Sequence, residues 1–568
     1  MLRMFAQHHK RPVLDLEGLH DFVFLGAVDP AKVKPANIKF NDRITIPMMY
    51  DMLPDYAGQR GLAAYRILVD LPVAGTWRLR LGGVHHWCQI FINGKSVATH
   101  SGGFTTFDTD LTNLLAGPQE IILLVDNRYD FQRCPIHHER SDFYHYGGIS
   151  QGAELHYIAP VAINRVFIST TDHRKGTLQV RVQTRAELAD KLPLLLTING
   201  QIWHEQEITL KPGLQDHTFA LDVNELSRWT PETPNLHMLG VELGADDYQE
   251  RFGVREIKIK GKDILLNGKP LTLIGFNRHE SYPNVGPATS DNIRLFDVQI
   301  LRKMHCNFVR GAHYPQHPRF LDLCDEMGLL VWSEALGWQN KADVIADPHF
   351  QNAMDSHISE MVLGDFNHPS IFCWGLLNES ESNVAKSKPG FRRFIKHIKA
   401  LDPTRPVTYA THVGETDLCL DLVDILALNI YPGWYYKTPD DIRNHNAIEE
   451  RMYHKNVKPH TRKPVIISEI GGDAITGYTD WTNQRWSEDY QADLLEAIIT
   501  RLFLDKRLVC GLAIWQFCDM RTSESTSIIF GKPTGYNRKG VVNEYRLPKR
   551  SFHVVAKKFA EVRAKYKF

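Results

Sequence analysis

Eight short apolar runs between residues 271 and 515 set the strongest limit on what this chain can fold into, because each stops abruptly at polar groups. Residues 271–276 run into Asn277-Arg278-His279-Glu280, residues 307–310 into His313-Tyr314-Pro315, and residues 329–333 into Glu334. Residues 371–377 end at Asn378-Glu379, residues 406–409 run to Thr411-His412, and residues 423–428 end at Asn429 and Tyr431. Residues 465–467 end at Ser468-Glu469, and residues 512–515, closing on Trp515, end at Gln516. A buried strand does not end on a bare carboxylate without cost. In a parallel barrel it can, because the C-terminal strand ends share one open rim. Helical patterns lie between the runs, at 291–304 behind a Ser290 cap and at 318–327 before a Gly328 stop. The pattern predicts a C-terminal (β/α)8 TIM barrel over residues 255–568.

Upstream the periodicity changes. Residues 65–160 hold short alternating runs such as Gln89-Ile90-Phe91-Ile92, punctuated by Gly82-Gly83, Asn93-Gly94 and Gly102-Gly103. They predict a jelly-roll β-sandwich over residues 1–160. A second β series over residues 161–254 has the size and spacing of an immunoglobulin-like β-sandwich. A multidomain chain also follows from its 568 residues, too many for one core. Lys+Arg and Asp+Glu both number 66, so net charge gives no support for nucleic-acid binding. No run approaches the ~18 apolar residues of a membrane span. The eight scattered cysteines read as reduced, buried thiols, and the N-terminal residues lack the apolar core of a signal peptide. A cytoplasmic protein is expected.

Two carboxylates stand out by position. Glu379 ends the fourth run and Glu469 the seventh, so they face each other across the barrel mouth. Glycoside hydrolysis needs such a pair. Glu379, behind an apolar run and Trp374, is expected to have a raised pKa and act as the acid. Glu469 is expected to be kept ionised by Tyr431 or Arg310, and Glu334 is a third candidate. The rim carries no phosphate-binding glycine loop and no metal-ligand set, so no cofactor is expected. The pairs His8-His9, His85-His86 and His137-His138 also speak against a metal, because neighbours on a strand point to opposite faces. Trp434 reads as a sugar platform; Trp77, Trp87, Trp338 and Trp481 read as core or rim packing.

The strand-end motifs, with Asn429-Ile430-Tyr431-Pro432-Gly433-Trp434-Tyr435, Trp486-Ser487-Glu488-Asp489-Tyr490-Gln491 and Asn537-Arg538-Lys539-Gly540, resemble glycoside hydrolase family two. Within it the chain is similar to the β-glucuronidases over nearly its whole length. The resemblance implies a retaining, exo-acting hydrolase of small or oligosaccharide β-glycosides, with Glu379 as acid/base and Glu469 as nucleophile. It implies substrate contacts at Asp142, His279, His313, Asn378, Asn429, Tyr431, Tyr435 and Trp515. It also implies that Asn537 and Lys539 grip a sugar carboxylate, and that the chain forms dimers or tetramers. The short segment after residue 335 and the insertion at 528–536 depart from the family pattern. They leave β-galacturonidase or β-galactosidase activity open beside β-glucuronidase, and a non-catalytic carbohydrate-binding protein as the contrasting class.

Overall fold

A computed structural model describes residues 2–435 and 462–567. The first sandwich packs a six-stranded antiparallel sheet (Asp42–Ile46, Gly18–Gly26, Leu62–Leu71, Gly117–Asp126, Trp87–Ile92, Lys95–Ser101) on a four-stranded one (Val13–Asp15, Ala153–Ile158, Gly75–Gly82, Thr106–Leu114). Alternate residues point inward. Tyr65, Ile67, Leu79, Leu81, Ile121 and Leu123 share one core because strand side chains have period two. Asn93 and Gly94, at φ 48° and 78°, make the tight hairpin turn that their types allow. Seven further strands between Val161 and Phe252 form sheets of three and four around Val180, Val182, Leu194, Leu196 and Val241.

The barrel strands are β1 (Leu273–Arg278), β2 (Phe308–Gly311), β3 (Leu330–Trp338), β4 (Ile371–Asn378), β5, β6 (Leu426–Asn429), β7 (Val465–Glu469) and β8 (Gly511–Ile514). Strand β5 is in two pieces. Val407–Thr408 pairs with β4 and Ala410–Thr411 pairs with β6, which closes the parallel sheet. Strand β3 runs past Glu334 as far as Trp338, with an irregularity after Ala335. Helices α1 (Asp291–Lys303), α2 (Pro318–Met327), α3 (Pro348–Gly364), α4 (Lys388–Leu401), α5 (Glu488–Ile499) and α6 (Arg550–Tyr566) belong to the barrel segment. Ser290 precedes α1 without a side-chain cap bond, whereas Gly328 ends α2 at φ 72°, a conformation glycine adopts freely.

The N-terminal segment crosses from one unit to the next. Leu2 N donates to Glu154 of the first sandwich, Arg11 pairs with Asp246 of the second, and Arg3 pairs with both Glu250 and Asp322 of α2. All eight cysteines are free and buried. No helix among the described residues is long and apolar enough to cross a membrane.

Candidate active site

The C-terminal strand ends meet at a cavity of about 760 Å³, within the size range of small-molecule sites. Its wall includes Glu379, Glu469, His313, Asn429, Tyr431, Tyr435, Trp515, Lys539 and Asp142. The first eight come from barrel strands or the loops after them; Asp142 comes from the first sandwich. His279, Asn378 and Asn537 stand one layer behind. His279 sets its ring edge-on to Trp515, Asn378 accepts from Asn429 Nδ2 at 3.1 Å, and Asn537 Nδ2 donates to Asp142 at 2.7 Å.

Strand β4 ends in an unusual backbone. Leu377 and Glu379 both take positive φ, 47° and 50°, a region that costs a non-glycine residue of order 1–3 kcal/mol. The Glu379 N–H is fixed to Ala410 O at 2.9 Å, on the second piece of β5. One carboxylate oxygen of Glu379 accepts from Asn429 Nδ2 and the other from Gln339 Nε2, both at 2.9 Å. Behind it, Gly375 lets the Trp332 indole lie against the strand: a Cβ there would sit 1.9 Å from Trp332 Nε1.

Glu469 is held from the opposite side. Arg310 Nη1 donates to Oε1 at 2.9 Å and the Tyr431 hydroxyl donates to Oε2 at 2.7 Å. The guanidinium of Arg310 is fully buried. It also donates to both oxygens of Glu334, to Asn378 Oδ1 and to Asn277 Oδ1. Glu334 is therefore the fixed counter-ion of Arg310, wholly buried and off the cavity wall, and burial raises its pKa against the pull of Arg310. That placement removes it as the third candidate for bond cleavage.

The electrostatics differ from the sequence expectation. Burial, then the charge of Glu379, push Glu469 up to about 8 against Arg310 and Tyr431. The two donors foreseen for Glu469 are present, but desolvation outweighs them. Converting Tyr431 to Phe removes a donor that favours the ionised form. The expected result is a kcat loss of roughly 10²-fold with little change in KM, and a basic limb of kcat/KM shifted to higher pH, read from initial rates across pH.

Several polar atoms at the site are buried yet unpartnered among the described residues: His313 Nε2, His279 Nε2 and Asn378 Nδ2. Such atoms cost free energy unless a ligand meets them. His313 lies parallel to Trp515 with ring centroids 4.9 Å apart, so its ring is held in place.

The sequence motifs did not include several lining residues. Gln339, Trp338 and Arg140 form one such group: Arg140 donates to Gln339 at 2.6 Å and sits over the Trp338 ring. Trp338, read as packing, thus lines the cavity. Asp473 pairs with Lys539, and Lys532 pairs with Asp142 at 3.2 Å. Lys532 lies in the 528–536 insertion, so that departure from the family pattern builds part of the wall. Lys539 Nζ also stands 5.3 and 4.9 Å from the Trp434 and Tyr435 rings. Asn537, expected on the sugar carboxylate, donates one of its two amide N–H groups to Asp142. Only an Asp two residues past Gly471 could have pointed to Asp473. The described groups with metal-ligand spacing all lie outside this cavity.

The model of "Glycosyl hydrolases family 2, TIM barrel domain" matches residues 257–564, and that of "Glycosyl hydrolases family 2" matches residues 161–255. The chain belongs to glycosyl hydrolase family 2. It is a glycoside hydrolase built, like the family, from β-sandwiches and a TIM barrel. The family-2 chain is 29% identical over 529 residues to the β-glucuronidase of Sus scrofa, covering 85% of this chain and 78% of that one. It is 28% identical to the β-glucuronidase of Streptococcus agalactiae, over 95% and 94% of the two chains. The crystal structure of a β-galacturonidase from Eisenbergiella tayi bound to galacturonate superposes with TM-score 0.90 at 31% identity, over 99% of each chain.

Proposed function

We propose that this family-2 enzyme is a retaining exo-hydrolase that releases terminal β-linked uronic acids, with β-D-glucuronides as first substrates. One observation carries the proposal: a paired carboxylate site, Glu379 and Glu469, shares its cavity with two lysines, Lys532 and Lys539. A uronate is an anion at neutral pH and needs cationic or N–H donors. Asp473 and Asp142 each engage one of these ammonium groups. Each ammonium carries three N–H donors, so donors are left for a sugar carboxylate.

In this reading Glu469 attacks the anomeric carbon while Glu379 gives its proton to the glycosidic oxygen, and the aglycone leaves as an alcohol. The sugar is then esterified to Glu469. Glu379, now ionised, takes a proton from water as that water attacks, restoring both carboxyls and retaining the β configuration. The pair needs one proton between them. Its position is a property of the coupled pair. Arg310 and Tyr431 favour the ionised form of Glu469, and protonation of Glu379 removes the charge that raises Glu469. A glycosidic oxygen at Glu379 therefore draws the shared proton to where it is used. The kcat/KM profile is expected to fall on its basic side near pH 8, where the free pair loses that proton.

A second reading, β-D-galacturonide hydrolysis, is favoured by the likeness to the Eisenbergiella tayi β-galacturonidase over the whole chain. Nitrophenyl β-glucuronide, β-galacturonide and β-galactoside assayed side by side decide between them. Preferred turnover of the galactoside overturns the uronide proposal, and no turnover of any glycoside overturns the enzyme reading. Lys539→Met is expected to cost uronide kcat/KM roughly tenfold or more and a neutral glycoside far less. Equal losses on both would place Lys539 in a purely structural pair with Asp473.

A further inference from the structure

The fold gathers one member of each of two histidine pairs with a third histidine. His86 lies just before strand Trp87–Ile92, and His137 and His145 come from the segment after strand Gly117–Asp126. All three are buried. His86 stacks on His137 with centroids 4.0 Å apart, and His145 meets both rings edge-on, at 5.5 and 5.1 Å. One ring nitrogen from each lies within 4.8 Å of the others, and the Nδ1 atoms of His137 and His145 are 2.9 Å apart.

Two details suit a cation. His137 gives Nε2–H to the Gly102 carbonyl, which leaves its Nδ1 lone pair facing the cluster. Neither ring nitrogen of fully buried His86 has a hydrogen-bond partner among the described residues. The nearby Arg60 is engaged elsewhere, by the carbonyls of Asn127 and His145 and by the Tyr129 ring. Zinc bonded to imidazoles at ~2.0–2.1 Å sets its ligand nitrogens somewhat over 3 Å apart, a modest adjustment of these rings.

We propose that His86, His137 and His145 form a structural site for a divalent transition-metal cation of the zinc type, outside the cavity that holds Glu379 and Glu469. The cation would tie both ends of segment 137–145 to the first sandwich. That segment carries His138, whose ring bonds Trp338 O, Arg140 on Gln339, and Asp142 on Asn537 and Lys532. The site would thus hold in register the sandwich residues that complete the barrel cavity.

The test uses the full-length enzyme purified without an immobilised-metal column, supplied with zinc or cobalt(II) and gel-filtered. Plasma mass spectrometry should find about one zinc per chain, and cobalt should give the visible bands of a low-coordinate site. The discriminating variant is His86→Phe, which keeps a stacking ring and removes both nitrogens. It should retain under ~0.1 zinc per chain and melt several degrees below the zinc-loaded wild type. If the cluster were only core packing, His86→Phe would melt at or above wild type, because it removes an unsatisfied polar group. That result, or wild type free of zinc after refolding in its presence, overturns the proposal.

Discussion

Glu469→Ala is expected to lower kcat on nitrophenyl β-glucuronide by at least about 10³-fold, since it deletes the group that would form the covalent intermediate. Its fold should survive, because Arg310 keeps Glu334 as counter-ion. Azide, small and anionic, should restore turnover by entering the space of the lost carboxylate and attacking the β-glycoside directly. The product should be the α-glycosyl azide. In Glu379→Ala the nucleophile remains, so azide meets the glycosyl-enzyme and yields the β-azide. Nuclear magnetic resonance of the two products reads the assignment. A β-azide from Glu469→Ala would reverse the roles, and a wild-type first product of α configuration would remove the retaining mechanism altogether.

Arg310→Met should be the most disruptive single change in the site. The substitution keeps the stem and removes a wholly buried charge that serves Glu334 and Glu469 together. Breaking a buried ion pair by deleting one partner costs about 3–5 kcal/mol, which denaturant titration should detect. The variant also tests the electrostatics. Arg310 lowers the pKa of Glu469, so its loss raises that pKa further and moves the basic limb of kcat/KM above pH 8. A limb that stays put would mean Glu469 does not carry the shared proton in the free enzyme. Arg310→Lys should recover part of the stability and less of the rate, because an ammonium cannot reproduce the two-sided fork.

The barrel and its two central carboxylates were legible because a buried parallel strand writes a continuous apolar run and then stops. Glu379 and Glu469 occupy those stops, as do Asn429 and Trp515. Strand β5 was harder to delimit: its two pairing partners are supplied by separate dipeptides, and no periodicity survives over two residues. The raised pKa of Glu469 was missed for a related reason. Donors to Glu469 can be guessed from strand ends, but the depth of burial that outweighs them belongs to the assembled cavity. Arg140 and Gln339 left no mark in the sequence and Lys532 only the departure at 528–536, since the contacts of Arg140 and Lys532 exist only after sandwich and barrel dock and that of Gln339 only once the barrel closes on Glu379. The same docking gives Asn537 a partner in Asp142. The histidine pairs show the limit of local reasoning: opposite faces within a pair say nothing about which faces meet in space.

The clasp made by Arg3 has a consequence for biogenesis. Its guanidinium closes on Asp322, 319 residues further along the chain, and on Glu250 between them. During synthesis at roughly 5–20 residues per second, Arg3 waits on the order of tens of seconds before α2 emerges. The first sandwich can fold in that interval, but it cannot be fastened. Final locking of the three units is therefore a late event, because Arg3 is made well before Asp322. Arg3→Met should slow the last step of maturation more than the appearance of β structure.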